Sequence, residues 1–307
     1  MNKPAPRVRF DPELIEAVVD LLLRRRAGGG EGELFDRFRH AADRIYVLHD
    51  TPEERQRAFH VLHARFFEEM RCAIPVVEEA DALVGGIQEV IVGRAWRPDD
   101  EGAELSLDRR LVGLRIQPRR FASTAGLQSF LRHEFGHVSD MVDQAFLYGD
   151  GASSGRLPRL AGARFGCLWD CVVDGRIARG GGVPLHSRED LEVECARLFP
   201  ALPPDGIVAA VRRLWDGERP PYATLVRWAT NPGVLAAWAG FTLETGDHQD
   251  TPPPGAPCPL CGFATYAWAP EVDTEMAVAI QADLPGWQRG DGVCARCVEA
   301  YAVPRGA

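Results

Sequence analysis

The chain is poor in lysine and has no long uninterrupted apolar segment. Lys3 is the only lysine among its 307 residues, and arginine supplies the other basic side chains, which we attribute to genome composition rather than to mechanism. No run of about 18 apolar residues occurs, so we expect no transmembrane helix. Asp11, Glu13, Glu16 and Asp20 interrupt the N-terminal segment, which therefore lacks the apolar core of a secretory signal peptide. We expect a cytoplasmic protein.

Charge and cysteine content narrow the class of protein further. The net charge of −9 argues against a general nucleic-acid-binding surface. In a reducing cytoplasm the eight cysteines are expected to be metal ligands or buried thiols rather than disulfides. The length allows one catalytic domain with a large core and a smaller module beside it.

The segment Leu131–Val138 contains the pattern His-Glu-x-x-His, formed by His133, Glu134 and His137. Residues i and i+4 of a helix lie on one face, so both imidazoles can bind one Zn²⁺ ion. Glu134 then lies where it can take a proton from a water molecule that the metal activates. The pattern predicts a catalytic zinc site with Glu134 as the catalytic residue.

The alternative is a surface helix with two unrelated histidines. The neighbouring sequence favours a packed helix, for which Ser123 or Thr124 is a suitable N-cap. Apolar residues recur around the motif at helical spacing: Leu127, Phe130, Leu131, Val138, Met141 and Val142.

The chain as a whole predicts an α+β protein. Helices are predicted within 11–71, at 165–179, 188–198 and 204–215; strands are predicted at 85–95 and 111–117, with an acidic turn at 98–104 and a surface loop at 149–162. The proline-rich segment 250–257 is the best candidate for a linker. We therefore predict a domain over 1–250, with a helical N-terminal part at 1–75, and a small module over 251–307.

A catalytic zinc needs a third protein ligand, and the helix after the loop offers two carboxylates. Asp170 and Asp174 are again four residues apart, within an otherwise apolar segment. Burying two acids there would be costly without a cation or hydrogen-bond donors. The alternative is a solvated helix edge on which the acids pair with Arg176 and Arg179.

At these residues the chain resembles the zincin metallopeptidases, and the gluzincins in particular, in which a second helix bears Glu-x-x-x-Asp. The resemblance implies a zinc ligand at Asp170 and a residue that orients the first motif histidine at Asp174. Aspartate replaces the usual glutamate here, and Asp174 could be the ligand instead. Nothing after His137 fits the histidine extension of the metzincins.

Zincins bind an extended peptide along an edge strand, and by resemblance the strand at 111–117 takes that place. Such enzymes also use a side chain to stabilise the oxyanion. The candidates by residue type are Tyr148, His186, Tyr222 and His248, among which we prefer His186.

Two Cys-x-x-Cys pairs follow the linker: Cys258 with Cys261, and Cys294 with Cys297. Four thiolates form a closed tetrahedral site with no position for water, so this metal site is structural. The pairs resemble a zinc ribbon, with a short helix expected around 275–282 in the insert. Redox-active cysteine pairs are the competing interpretation.

Together these features predict a zinc metallopeptidase with two Zn²⁺ ions, one catalytic and one structural. The expected partners are a protein or peptide substrate and a protein docked on the ribbon; a membrane is not expected, and nucleic acid is not favoured. The pairing of domains is similar to the SprT-like proteases, although their third histidine is missing. The alternatives are a non-enzymatic scaffold that docks a partner through the ribbon, and a hydrolase of non-peptide amides.

Overall fold

The computed structural model describes residues 5–30, 32–83, 86–149, 157–217, 219–242, 252 and 255–302. In these residues the chain is a mixed α/β protein with twelve α-helices and one sheet of four strands. It divides into two compact units: Met1–Gln144 with Gly182–Leu185, and Ala145–Gly181 with His186–Ala307. None of the helices in the described residues is both long and apolar enough to cross a membrane. The predicted boundary near residue 250, which separates a domain over 1–250 from a module over 251–307, stays a prediction.

The first unit is helical at its N-terminal end and contains the whole sheet. Its elements are β1 (Arg7–Phe10), α1 (Pro12–Gly28), α2 (Glu33–Leu48), α3 (Pro52–Glu69), α4 (Ile74–Asp81), β2 (Glu89–Arg94), β3 (Gly102–Leu105), β4 (Leu111–Ile116) and α5 (Thr124–Val142). The caps are local: Asp11 accepts a hydrogen bond from the N–H of Glu13, and Thr51 forms a capping box with Glu54. The predicted helices of this region are confirmed.

The sheet has the strand order β1-β2-β4-β3, so β4 is an internal strand. The strands β1, β2 and β4 are parallel, and β3 is antiparallel to β4 with Ala103 opposite Leu114. The expectation that 111–117 takes the place of an edge strand is therefore wrong. Within the described residues the edge strand beside it is β3, which overlaps the segment predicted as a turn at 98–104; its four residues, Gly-Ala-Glu-Leu, contain no β-branched side chain to indicate a strand.

The core of the first unit is one cluster to which the sheet and the helices α1, α3, α4 and α5 all contribute. Alternate residues of the two central strands are buried, as expected for strands with one face covered. The helix α5 buries the apolar face that its sequence predicts. The buried residues of this core include Val90, Val92, Val112, Leu114 and Ile116 from the strands and Leu127, Phe130, Leu131, Phe135 and Val138 from α5.

The second unit is built from α6 (Arg159–Arg179), α7 (Arg188–Leu198), α8 (Pro204–Trp215), α9 (Tyr222–Thr230), α10 (Pro232–Ala239), α11 (Thr274–Asp283) and α12 (Ala295–Ala302). The predicted helices at 165–179, 188–198, 204–215 and 275–282 are confirmed. The predicted loop at 149–162 falls in part on α6 and in part outside the described residues. The predicted linker at 250–257 also lies partly outside the described residues.

Helix α6 is held by close backbone packing and by a covalent link. At Gly175 an added Cβ would lie 2.5 Å from the carbonyl oxygen of Trp215, so only glycine lets α6 and the end of α8 approach this closely. A disulfide joins Cys167 of α6 to Cys195 of α7, with 6.3 Å between the Cα atoms. The expectation that the cysteines form no disulfide is thus wrong for this pair, because helix packing brings together two residues 28 positions apart.

Candidate metal sites

Helix α5 presents the His-Glu-x-x-His residues from a well-anchored position. The side chain of Ser123 accepts a hydrogen bond from the N–H of Gly126, which confirms the N-cap predicted at Ser123 or Thr124. His133 is buried, whereas Glu134 and His137 are half-buried. The histidines are therefore part of a packed helix and not of a solvated surface.

The two histidines of α5 come together through the nitrogens that bind metals. The Nε2 atoms of His133 and His137 are 3.1 Å apart, and the ring planes are inclined by 80°. Two imidazoles on a tetrahedral zinc, with Zn–N bonds of about 2.05 Å, have their nitrogens about 3.3 Å apart. The pair therefore fits as two ligands of one ion.

Glu134 is held by the edge strand of the same unit. The backbone N–H of Ala103 donates a hydrogen bond of 2.8 Å to Oε2 of Glu134. Its neighbour Gly102 has φ +149°, and a Cβ added there would lie 3.7 Å from the same oxygen. Sequence reasoning missed this contact, because nothing in the sequence of residues 102–105 indicates a strand.

In the second unit, Asp174 on α6 is fully buried and hydrogen-bonded to His186, two residues before α7. Its Oδ2 accepts bonds from the backbone N–H of His186 at 3.1 Å and from the imidazole Nδ1 at 2.9 Å. His186, the preferred oxyanion candidate, therefore has one ring nitrogen committed to Asp174. Asp170 is only half-buried on the same helix. The expectation that both acids lie on a solvated edge fails for Asp174.

The tyrosines among the oxyanion candidates lie in an aromatic cluster of the second unit. The rings of Tyr148 and Tyr222 are 5.0 Å apart between centroids, and both pack near Trp169 or Phe165. Burial and the neighbouring Tyr148 raise the pKa of Tyr222. His248 lies outside the described residues.

The four predicted cysteines of the C-terminal region do come together. Cys258 and Cys297 have their sulfurs 3.9 Å apart, as do Cys261 and Cys294, and all four sulfurs lie within 4.8 Å of one another. Tetrahedral zinc with Zn–S bonds of about 2.3 Å places its sulfurs about 3.8 Å apart. The donor set and its spacing fit a structural zinc ion.

Local backbone geometry prepares the first cysteine pair for metal binding. Gly262, directly after Cys261, has φ +73°, which glycine adopts without strain. The turn brings the backbone N–H of Phe263 to the sulfur of Cys261; this bond, with those from the other three cysteines, lowers the pKa of Cys261 to about 7, whereas burial raises the pKa of Cys294 and Cys297. A thiol that ionises more readily is a better metal ligand.

Sequence reasoning missed one further polar residue of α5. Asp140, one turn beyond His137, is fully buried. In the sequence Asp140 is one more acidic residue on a helix, and only the structure reveals that its carboxylate is buried beside the motif.

No protein-family model matches the chain, and the comparisons with curated proteins and with solved structures likewise give no match.

Proposed function

We propose that the protein is a zinc-dependent metallopeptidase with a zincin-like catalytic part and a C-terminal zinc ribbon. The observation that carries the proposal is the arrangement on α5. Two imidazole nitrogens lie 3.1 Å apart, and Glu134, between them in sequence, is fixed by a backbone N–H of an edge strand. The 3.1 Å distance matches two histidine ligands of one zinc ion; a hydrogen bond between two neutral imidazoles has the same length, so zinc content is measured together with activity.

The chain's own groups then have distinct roles. A bound zinc ion supplies Lewis acidity, which polarises a carbonyl group and makes a water molecule more acidic. Glu134 takes the proton of the attacking water and afterwards gives it to the leaving amine. His133 and His137 hold the ion, and α5 keeps them on one face.

The third ligand in this proposal is Asp170, with Asp174 as the alternative. Asp174 is fully buried and already accepts two hydrogen bonds from His186. A carboxylate so engaged suits an orienting role better than direct metal binding. Asp170 is the half-buried acid of the pair, and its position matches the ligand of the gluzincin pattern.

We further propose that an extended peptide pairs with β3 rather than with β4. Among the described residues, β3 pairs with β4 on one side and with no strand on the other. Its Ala103 N–H points to Glu134, so a peptide along this edge would pass the general base. Backbone pairing of this kind gives affinity with little dependence on side chains, which suits a peptidase acting on unfolded segments.

The second candidate is a non-enzymatic scaffold that docks a protein partner through the Cys₄ module. The observation that favours it is the exposure of two aromatic rings there: Phe263 is 66% exposed and Tyr266 81% exposed. The guanidinium of Arg296 lies 5.3 Å from the Phe263 ring centre. Exposed aromatic residues beside an arginine are typical of protein-binding surfaces.

The variant Glu134→Gln separates the two candidates. A peptidase should lose at least about 100-fold of its hydrolysis of an unfolded protein substrate, because the general base is removed. Its zinc content should stay unchanged, because Glu134 is not a ligand. The control is Glu78→Gln, which makes the same change at an exposed position of α4. Equal hydrolysis by both variants, or no hydrolysis by zinc-loaded wild type, would favour the scaffold.

A further inference from the structure

A cleft in the first unit has only arginines as its charged lining residues. Arg25 and Arg26 lie in the last turn of α1, and Arg71 follows the end of α3. The cleft has a volume of about 430 Å³ and no acidic lining residue. Within the part of the chain that the structure describes, none of the three guanidinium groups forms an ion pair. Positive charge is thus concentrated without compensation, although the chain as a whole is acidic.

Arg71 occupies a backbone conformation that favours glycine. Its φ is +58°, and it stands at the position after the helix where glycine is common. The turn is closed by hydrogen bonds from Arg71 N–H to the Glu68 carbonyl at 2.9 Å and from Cys72 N–H to the Phe67 carbonyl at 3.1 Å. An arginine here brings a guanidinium to the cleft at a conformational cost that glycine would avoid.

The N-terminal end of α5 lies on the same cleft through Thr124 and Leu127. The first turn of this helix contains no acidic residue, and Ser123 caps the N–H of Gly126. Within the described residues the N–H of Thr124 has no hydrogen-bond acceptor. The helix dipole adds partial positive charge at this end, next to the arginines.

The rest of the lining is largely apolar. It contains Leu22, Met70, Pro75, Phe121, Ala122 and Leu127. A fully hydrated inorganic ion gains nothing from such walls, whereas an anion with an apolar substituent buries that substituent. The volume suits one small organic molecule and is too small for a folded partner or a long polyanion.

We propose that this cleft binds a small organic phosphate monoester with an aromatic or short aliphatic substituent. The phosphate would lie among Arg25, Arg26 and Arg71 at the start of α5, because a dianion with several acceptor oxygens matches guanidinium donors and helix N–H groups. The substituent would pack against Phe121 and Leu127. The site is separate from the proposed peptidase chemistry, and its test needs no hydrolysis.

The experiment is calorimetric titration of the full chain with phenyl phosphate and with inorganic phosphate at equal ionic strength. We expect phenyl phosphate to bind at least about tenfold more tightly than inorganic phosphate, because burial of the ring adds to the ionic contacts. Arg71→Gly and the double variant Arg25→Gln/Arg26→Gln should each weaken phenyl phosphate at least about tenfold. Arg24→Gln is the matched control, because Arg24 lies on the same helix turn but does not line the cleft.

Arg71→Gly also tests whether misfolding explains a loss of phenyl phosphate binding. Glycine relieves the positive φ, so this variant should unfold at the same temperature as wild type or higher. The site is supported if Arg71→Gly loses phenyl phosphate binding at unchanged stability while Arg24→Gln keeps that binding. Equal affinity in Arg71→Gly and Arg24→Gln overturns it, and so does phenyl phosphate binding no tighter than inorganic phosphate.

Discussion

The backbone N–H of Ala103 donates a hydrogen bond of 2.8 Å to Oε2 of Glu134, across 31 positions of sequence. The bond ties the acidic residue of α5 to the edge strand β3, whose other side pairs with β4. The N–H of Ala103 thus holds Glu134, the proposed general base, next to β3, the strand on which a peptide could pair.

Ala103→Pro removes this N–H without removing a ladder bond, because the N–H bonds to Glu134 and not to β4. Proline is tolerated at such positions of edge strands. We expect hydrolysis to fall about tenfold, which corresponds to the loss of one charge-assisted hydrogen bond, while zinc content is unchanged. Ala103→Val keeps the N–H and serves as the control; an equal loss of activity in both variants would show that the side chain, not the hydrogen bond, matters.

The protein should bind two zinc ions per chain. One set of donors contains His133 and His137, and the other is the Cys₄ group. Elemental analysis of protein purified without chelators measures the total. His133→Ala and Cys258→Ser should each remove one ion and leave the other; a total of one in well-folded wild type would eliminate one of the sites.

The two acids of α6 should differ in their effect on metal binding. Asp170→Ala should empty the catalytic site, whereas Asp174→Ala should weaken its zinc affinity by about 10–100-fold, as is typical for a residue that orients a ligand. Asp174→Ala also removes the buried carboxylate that accepts two hydrogen bonds from His186 and should lower the free energy of unfolding by about 1–3 kcal/mol. Competition with a zinc chelator and chemical denaturation measure the two effects.

The conservative variant Asp174→Asn keeps acceptors for His186 and controls for that loss of stability. If zinc remains in Asp170→Ala but is absent from Asp174→Ala and Asp174→Asn, the order is reversed and Asp174 is the ligand.

Cys258→Ser should unfold the C-terminal module and leave the first unit folded. The module has a small core around Ile280, Trp287 and Val293, so its zinc would supply much of its folding free energy. Limited proteolysis should cut the variant near residues 251–256 and leave a stable N-terminal fragment. The backbone N–H of Arg159 on α6 contacts Asp291 of the module, so α6 is the first place to look for wider damage. Collapse of the whole chain would mean that the module belongs to one common core.

The four-residue spacing of His133 and His137, the N-cap at Ser123 and the two Cys-x-x-Cys turns could all be predicted from the sequence. Each depends on neighbours within one or two turns of chain, where backbone geometry alone sets which side chains meet. The bounds of α7 and α8 were predicted for the same reason, because apolar spacing and end signals are local.

Only the tertiary structure decided the contacts between distant segments. The strand β3 exists because it pairs with β4, not because its own residues favour a strand. The Cys167–Cys195 disulfide, the Asp174–His186 pair and the arginine cleft likewise depend on how helices pack. Packing minimises the free energy of the whole core, and no local pattern records which distant partners it brings together.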